Sequence, residues 1–222
     1  FHSARWDHSV DLTAKRVAVI GNAASAVQFV PQIAPQVARL TVFQRSANWL
    51  LPRNDKLYSP RLHRTMARWP WLARLRHDFQ WLFFGEMQLT PLMKQVRPVV
   101  WLARRKSMAH LRRQVRDPAL RAKLVPDFPI GAKRVLFNDD YYPALGRANV
   151  EVVTDAVEAI VPDGVRTRDG KVHPADVIVY ATGFKATDFL AGVEVTGLAG
   201  RRLHDEWRHG AHAYLGVTIS GF

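Results

Sequence analysis

Small residues with the spacing of a dinucleotide-binding turn lie near the start of this 222-residue chain. Such a turn carries the pattern G-x-G-x-x-G or G-x-G-x-x-A, whose small residues let the backbone approach a pyrophosphate at the start of a helix. The three small positions are occupied here by Gly21, Ala23 and Ala26. Because Ala23 adds a methyl group at the second position, we expect weaker dinucleotide binding there, but not its loss.

The elements that must position this turn flank it in the sequence. Arg16 to Ile20 is a short run rich in β-branched residues, and Leu40 to Phe43 is a second one. Between them, Ser25 to Val37 predicts a helix that two prolines shorten or kink. Strand, turn, helix and strand form the first unit of a Rossmann-like α/β fold. Taken without its flanks, the turn is equally compatible with an ordinary parallel strand that runs into a helix.

The residues after the second run indicate which dinucleotide would bind. Folds of this kind that prefer NAD place an acidic residue there, which binds the ribose 2′-hydroxyl. Arg45 and Ser46 stand at that position instead. An arginine and a hydroxyl group suit a 2′-phosphate, so the sequence predicts NADP(H). The alternative is that Arg45 is a solvated cation at a strand end.

Composition limits the classes of protein that this chain can belong to. There is no cysteine, which excludes disulfides and thiolate metal sites, and no apolar run reaches the length of a membrane span. We therefore expect a cytoplasmic protein. The whole excess of 13 positive charges lies between Arg53 and Lys123, with 17 basic and 4 acidic residues. Because the chain starts without methionine and both ends are abrupt, we expect a piece of a longer protein.

Residues 53–130 differ in character from their surroundings and predict a helical insertion. Apolar residues recur at helical spacing, and an aromatic stripe extends from Trp69 to Phe84. We interpret this stripe as a core face. The alternative is a cation-rimmed surface that meets lipid or a partner subunit.

The α/β pattern resumes after the insertion. Strands are predicted at Arg134 to Phe137, Val150 to Val153 and Val177 to Tyr180, and a hairpin closed near Asp169-Gly170 is predicted from Val157 to Thr167. Tyr141 and Tyr142 open a short helical turn, and we interpret them as core residues. The histidines have no metal-ligand spacing, so His204, His209 and His212 are predicted to lie on the surface.

Four stretches of the sequence resemble the Baeyer–Villiger monooxygenases, a group of class B flavoprotein monooxygenases. His2 to Asp7 resembles the end of that family's fingerprint, F-x-G-x-x-x-H-x-x-x-W-P/D. The other three stretches are Val17 to Arg45 with Ser46, Asn48 and Trp49; Gly131 to Arg134 with Asp140 to Tyr142; and Tyr180 to Phe184 with Tyr214 to Gly216. The phrase Gly-Asn-Ala-Ala-Ser is most similar to that of 4-hydroxyacetophenone-type enzymes.

The resemblance implies an enzyme that uses NADPH, FAD and O2 to insert an oxygen atom next to a ketone carbonyl through a flavin C4a-peroxide. It implies small-molecule substrates and no nucleic-acid partner, and it indicates no oligomeric state. The family's N-terminal FAD fingerprint is not found in this sequence, so the piece alone is expected to be inactive. The implied domains are a linker at 1–14, an NADP-binding domain at 15–52 and 131–180, a helical insertion at 53–130 and a partial FAD-binding domain at 181–222.

The resemblance also implies roles for individual residues. Arg134 corresponds to the arginine that stabilises the flavin peroxide, and Lys133 to a second contact of the 2′-phosphate. On their own, this pair would be interpreted as solvated. His2 and Trp6 correspond to a domain junction, although His2 taken alone would be a surface residue. The implied cofactor contacts are Gly21, Asn22, Ala23, Ala24, Ser25, Ala26, Gln28, Arg45, Ser46, Thr182 and Gly183.

Two other functions remain open from the sequence alone. One is a flavin N- or S-oxygenating monooxygenase of the same superfamily, which Trp6 disfavours because that group's fingerprint usually ends in Phe or Tyr. The other is a non-enzymatic module whose basic helices bind a polyanion or an anionic membrane surface.

Overall fold

A four-stranded parallel sheet forms the centre of the larger part of the fold. The computed structural model describes residues 1–55, 57–184, 189–190 and 192–222, which divide into two units, Phe1–Thr182 and Gly183–Phe222. The sheet belongs to the first unit, and all its neighbouring strands are parallel. In spatial order its strands are Val150–Val153 (β5), Arg39–Phe43 (β2), Arg16–Ile20 (β1) and Val177–Tyr180 (β9). The predicted α/β class is confirmed.

The two faces of this sheet are covered by different elements because successive side chains of a strand point to opposite sides. Val17 and Val19 of β1 pack in a core with helices Ala24–Ile33 (α1) and Tyr141–Leu145 (α7). Ala18 belongs to a second core with Phe43, Val153 and Val165. Helix α1 ends at Ile33, four residues before the predicted end. Pro31 lies inside the helix and does not end it.

A three-stranded antiparallel sheet supplies Val165 to the second core. Its strands are Val157–Val161 (β6), Gly164–Thr167 (β7) and Val172–Pro174 (β8). The predicted hairpin was wrong in its turn, because Pro162 and Asp163 connect β6 to β7. Asp169 and Gly170 instead connect β7 to β8, a short strand that ends in proline and was not predicted.

The insertion is helical, as predicted. A separate two-stranded parallel sheet joins the segments before and after it. Leu50–Leu51 (β3) pairs with Leu136–Phe137 (β4), so the predicted strand at 134–137 is only two residues long. The helices between them are Pro60–Arg68 (α2), Pro70–Gln80 (α3), a π-helical segment Trp81–Leu89, Thr90–Met93 (α4), Arg97–Gln114 (α5) and Pro118–Lys123 (α6).

The aromatic stripe does not form a core face, and that interpretation was wrong. Trp71, Phe79 and Trp81 are about 60% exposed, and no residue from Pro60 to Leu89 is buried. The helices α2 and α3 and the π-helical segment pack chiefly against their neighbours in the chain. Periodicity indicated an apolar face correctly, but it carries no information about what covers that face.

The second unit contains only short elements among its described residues. Leu198–Gly200 forms a 3₁₀ turn, and Leu203–Glu206 (α8) follows it. Arg201 forms an ion pair with Glu206 at 2.7 Å. Within the described ranges of both units, no helix is long and apolar enough to cross a bilayer.

Candidate functional site

The turn after β1 requires glycine at its first position. Gly21 has a φ of +106°, a backbone conformation that other residues rarely adopt. A Cβ atom at Gly21 would clash with the carbonyl group of Ala181, directly after β9. The Gly21 N–H donates to the Phe43 carbonyl at 3.0 Å, so the turn contacts both strands that neighbour β1.

Helix α1 begins at this turn without a side-chain cap. Ala23 is the N-cap residue, its backbone is extended, and no side chain among the described residues caps the first turn. The exposed Ala23 and Ala24 and the half-buried Ser25 surround the helix start, whereas the side chain of Ala26 lies in the core. The first N–H groups of a helix have no partner within it, so this end is suited to bind an anion.

Amide side chains connect this turn to the segment after β2. The Asn22 amide nitrogen donates to the Gln44 side-chain oxygen at 3.1 Å and to the Ser46 carbonyl at 2.9 Å. Asn48 returns a hydrogen bond from its amide to the Asn22 carbonyl at 2.8 Å. The three bonds fix the position of residues 44–48 relative to the start of α1.

Arg45 and Ser46 therefore lie where the sequence predicts a reader of the ribose 2′-position. Arg45 is exposed, and its guanidinium group has no hydrogen bond or ion pair with another described residue. Ser46 is half-buried, and its backbone carbonyl, rather than its hydroxyl group, is bonded to Asn22. An unneutralised arginine and an available hydroxyl group fit the chemistry of a phosphate.

The second basic pair lies in a different place, at the wall of a cleft of about 850 Å³. Lys133 and Arg134 line this cleft together with Ala24 and Gln28 of α1 and with Arg53. Arg45 and Ser46 do not line it. The cleft thus brings Gln28 close to Lys133 and Arg134. Arg45 and Ser46 are instead held beside the glycine turn by the three hydrogen bonds that involve Asn22, which we call the Asn22 network. The apolar part of the wall includes Leu89, Leu92, Met93, Val135 and Phe137.

The N-terminal segment is attached to both β9 and α1. The backbone of His2 forms a parallel bridge with Tyr180, whose N–H donates to the Phe1 carbonyl at 2.9 Å. The Trp6 ring packs edge-on against Phe1 at 5.2 Å and against Phe29 of α1 at 5.1 Å between ring centroids. His2 and Trp6 thus fix this segment to the sheet and to the helix that carries the turn.

Thr182 and Gly183 stand at the boundary between the two units. Thr182 is the last residue of the first unit, and Gly183, with a φ of +95°, begins the second. Both are exposed. Only Thr182 belongs to the same unit as Gly21. Gly21 itself lies against Ala181, the residue before Thr182.

The two tyrosines interpreted as core and the three histidines interpreted as surface lie where the sequence predicts them. Tyr141 and Tyr142 are each 2% exposed, and burial raises the pKa of both phenols well above its ordinary value. They pack in the core with α1. His204, His209 and His212 are exposed. Across the described ranges, no group of three or more His, Cys, Asp or Glu residues is placed to hold a metal ion.

Sequence reasoning missed the residues that hold the site in place. Gln44 and Asn48 were noted only as parts of a stretch that resembles the monooxygenase family, and Gln95 was not identified from the sequence. The Gln95 amide nitrogen donates to the carbonyls of Leu92 and Ile130, both at 3.0 Å. A left-handed backbone at Gln95 (φ +55°) is a structural signal for such a role, but it is not readable from the sequence.

Comparisons with known proteins cover the whole chain. No protein-family model matches it. A Baeyer–Villiger monooxygenase of Pseudomonas aeruginosa is 41% identical over 223 residues, which are 100% of this chain and 42% of the relative. A Baeyer–Villiger monooxygenase of Streptomyces coelicolor is 42% identical over 228 residues, again 100% of this chain and 42% of the relative.

A solved structure has the same fold over the same range. The crystal structure of OTEMO in complex with FAD and NADP matches with a TM-score of 0.81 at 29% identity, over 100% of this chain and 49% of that one. The chain spans about two fifths of the length of the curated relatives it matches. In sequence and in fold, this chain belongs to the Baeyer–Villiger monooxygenase family.

Proposed function

We propose that this chain is the NADP-binding portion of an NADPH- and FAD-dependent monooxygenase that acts on ketones. The whole protein would convert NADPH, H⁺, O2 and a ketone into NADP⁺, water and an ester or lactone. The observation that supports the NADP assignment most strongly is the Asn22 network. It places an unneutralised arginine beside a glycine turn and an uncapped helix start.

The proposed coenzyme contacts follow from this arrangement. The pyrophosphate would lie against Gly21 and the start of α1, where backbone N–H groups from Ala24 to Ala26 face outward from the helix. Arg45 and Ser46 would bind the 2′-phosphate. Ala23 carries a methyl group where the family usually has a second glycine. We therefore expect the distance between the backbone and the pyrophosphate to be slightly longer.

Lys133 and Arg134 are proposed to act from the cleft that they share with Gln28. Lys133 would add a second positive charge near the 2′-phosphate. Arg134 would place a permanent cation next to the reacting oxygen, and it stays charged at any working pH. A fixed cation stabilises negative charge that develops during reaction without reorganising at that moment.

The flavin would supply electron storage and oxygen activation when bound. The described residues contain one strand, glycine turn and helix unit, at β1 and α1, and the proposed NADP site uses it. Most of the flavin contacts would therefore come from the parts of the protein that its relatives have in addition. Thr182 and Gly183 are proposed to contribute where the chain leaves the sheet.

The finer features of the protein are proposals as well. They include the domain boundaries at 14, 52, 130 and 180, the domain-junction role of His2 and Trp6, a cytoplasmic location and a specific similarity to 4-hydroxyacetophenone-type enzymes. The predicted partial FAD-binding domain, 181–222, contains positions 185–188 and 191, which lie outside the described residues.

Product analysis tests the proposed function directly. The full-length native protein, loaded with FAD, is incubated with NADPH, O2 and either a ketone or a thioether. We expect ketone-dependent NADPH oxidation with an ester or lactone as the product. Sulfoxide without any ester would favour the N- or S-oxygenating alternative. If there is no turnover but binding to liposomes or duplex DNA falls steeply with salt, the basic-module alternative replaces the proposal.

A further inference from the structure

The loop that carries Lys133 and Arg134 is held by one side chain of the insertion. Gln95 lies in the link between α4 and α5, and its amide group offers two N–H donors. These donors match two carbonyls, those of Leu92 and Ile130, each at 3.0 Å. Gln95 thus joins the end of α4 to the residue that precedes Gly131.

Gly131 shows how closely the loop approaches this link. Its φ is +91°, and a Cβ atom there would lie 2.7 Å from the Gln95 amide nitrogen and 3.1 Å from the Leu92 carbonyl oxygen. The contact therefore requires glycine both for its backbone conformation and for space. Residues 130 and 131 are therefore packed and hydrogen-bonded against the link between α4 and α5.

Arg134 depends on such backbone anchors because its side chain has none. Its guanidinium group has no hydrogen bond or ion pair with the residues that the structure describes. Upstream, the loop is held at Ile130 by Gln95. Downstream, Val135 is buried, and the Leu136 N–H donates to the Trp49 carbonyl at 3.0 Å. Lys133 differs, because its ammonium group lies 4.2 Å above the centre of the Phe128 ring.

A second glutamine has the equivalent position for Arg45 and Ser46. Gln44 is 2% exposed, its side-chain oxygen accepts from Asn22, and its amide nitrogen donates to the Lys123 carbonyl at 2.7 Å. Lys123 is the last residue of α6, and its ammonium group donates to the Val152 carbonyl of β5 at 2.8 Å. The end of the last helix of the insertion is thus bonded to Gln44, the residue next to Arg45.

We propose that the helical insertion positions both cationic segments of the coenzyme site, with Gln44 orienting Arg45 and Ser46, and Gln95 orienting Arg134. Both glutamines are positioning residues that act through their neighbours. The inference rests on the proposed function and adds a division of labour to it. Gln44 governs discrimination between NADP and NAD, and Gln95 governs the fraction of activated oxygen that reaches the ketone.

The test compares Gln44→Met and Gln95→Met in the full-length native protein. Methionine keeps the length and neutrality of the side chain and removes its hydrogen bonds. Each variant serves as the matched control of the other. The measurements are calorimetric Kd values for NADP⁺ and NAD⁺, amide hydrogen exchange of residues 130–136, and the products formed for each NADPH oxidised.

For Gln44→Met we expect the Kd of NADP⁺ to rise about five- to tenfold, the consequence of losing one or two hydrogen bonds that orient the segment. The Kd of NAD⁺ should stay unchanged, and so should the yield of ester for each NADPH. A structural defect alone would weaken both dinucleotides equally.

For Gln95→Met we expect faster exchange of residues 130–135 and a lower yield of ester for each NADPH. The missing oxygen should appear as hydrogen peroxide, since NADPH, H⁺ and O2 without oxygen transfer give NADP⁺ and H2O2. The Kd of NADP⁺ should change less than about threefold, because Lys133 keeps its contact with Phe128.

The inference is overturned if the two variants shift selectivity and ester yield in the same proportion, or if Gln95→Met leaves exchange and yield unchanged. If a methionine variant does not fold, Gln44→Asn and Gln95→Asn replace the pair, since they keep the amide group and shorten its reach by one methylene group. A wild-type protein that does not distinguish NADP⁺ from NAD⁺, or forms no ester, contradicts the proposed function instead.

Discussion

The two cationic segments of the site are built in opposite ways. Arg45 and Ser46 follow Gln44 just after the central strand β2, which ends at Phe43 beside the glycine turn. Lys133 and Arg134 lie in a loop between the insertion and a two-residue strand. The sheet places the backbone of the first segment, and Gln44 adds a hydrogen bond to the end of α6, whereas the second segment depends mainly on side-chain contacts with helices. The location of a strand end is therefore dictated by local pattern, and that of a loop by packing that forms only in the folded chain.

This difference suits the two proposed tasks. A phosphate is recognised by fixed charge and fixed N–H groups, which a strand end and a helix start supply. A residue beside a reacting oxygen must be placed accurately, and several contacts together can fix its position. The loop before Arg134 has such contacts, namely the hydrogen bond from Gln95 and the close packing at Gly131.

The largest expected effect separates the two segments by their chemistry. Replacing Arg134 with alanine should lower the rate of ester formation about a hundred- to a thousandfold, because the cation beside the developing charge is lost. NADP⁺ affinity, measured by calorimetry, should change little. Arg134→Lys, which keeps the charge without the planar donors, should retain part of the rate. Ester formation at the wild-type rate in Arg134→Ala would remove this residue from the proposed chemistry.

The next effect concerns coenzyme choice. Arg45→Ala should raise the KM for NADPH about ten- to a hundredfold, the range expected for loss of charge-assisted hydrogen bonds, and should leave the KM for NADH unchanged. Arg39→Ala is the matched control, since Arg39 begins the same strand and pairs with Glu151 at 2.6 Å. Equal changes for both coenzymes in Arg45→Ala would eliminate the 2′-phosphate contact.

Two glycines with positive φ test how tightly the turn is packed. Gly21→Ala should lower the free energy of unfolding by at least about 2 kcal/mol more than Gly170→Ala, since both strain the backbone but only Gly21 also lacks room. At Gly170, with a φ of +84°, a Cβ would meet no atom of the described residues within 4 Å. Chemical denaturation of both variants measures the difference. Similar losses would mean that the approach of Ala181 to the turn is not tight.

The smallest effect compares a contact that holds the end of the insertion with the exposed aromatic stripe. Trp49 is buried and donates its indole N–H to the Phe128 carbonyl at 2.8 Å, whereas Trp81 is 60% exposed. Trp49→Phe should cost about 1–3 kcal/mol of unfolding free energy, and Trp81→Phe less than about 0.5 kcal/mol. A comparable cost for both, measured in the full-length protein, would show that the aromatic stripe is covered there.

The parts of the fold that local pattern determines could be predicted from the sequence. The β-branched runs at β1 and β2, with the glycine between them, indicated a parallel strand-turn-helix-strand unit. Similar runs indicated β5 and β9, and α7 was predicted separately as a short helical turn. The strand β4 was predicted longer than it is and β8 was not predicted; they have two and three residues. Strands that short are stabilised by their partners rather than by their own composition.

The site could be predicted only in part, for the same reason. Arg45 followed from its place after a strand, but the pair Lys133-Arg134 was indicated by family resemblance alone. Gln44 and Gln95 act through carbonyls 79 and 35 residues away in the chain, and no local pattern encodes such bonds. The aromatic stripe shows the same limit, because periodicity identifies an apolar face without its partner.

The central claim is that a positive charge after β2 makes this a site for the phosphorylated coenzyme. Calorimetric titration of the full-length native protein with NADP⁺ and with NAD⁺, at the same salt concentration, tests it most directly. The account predicts that NADP⁺ binds at least about tenfold more tightly, from charge-assisted contacts that NAD⁺ lacks. Equal dissociation constants for the two dinucleotides would contradict it.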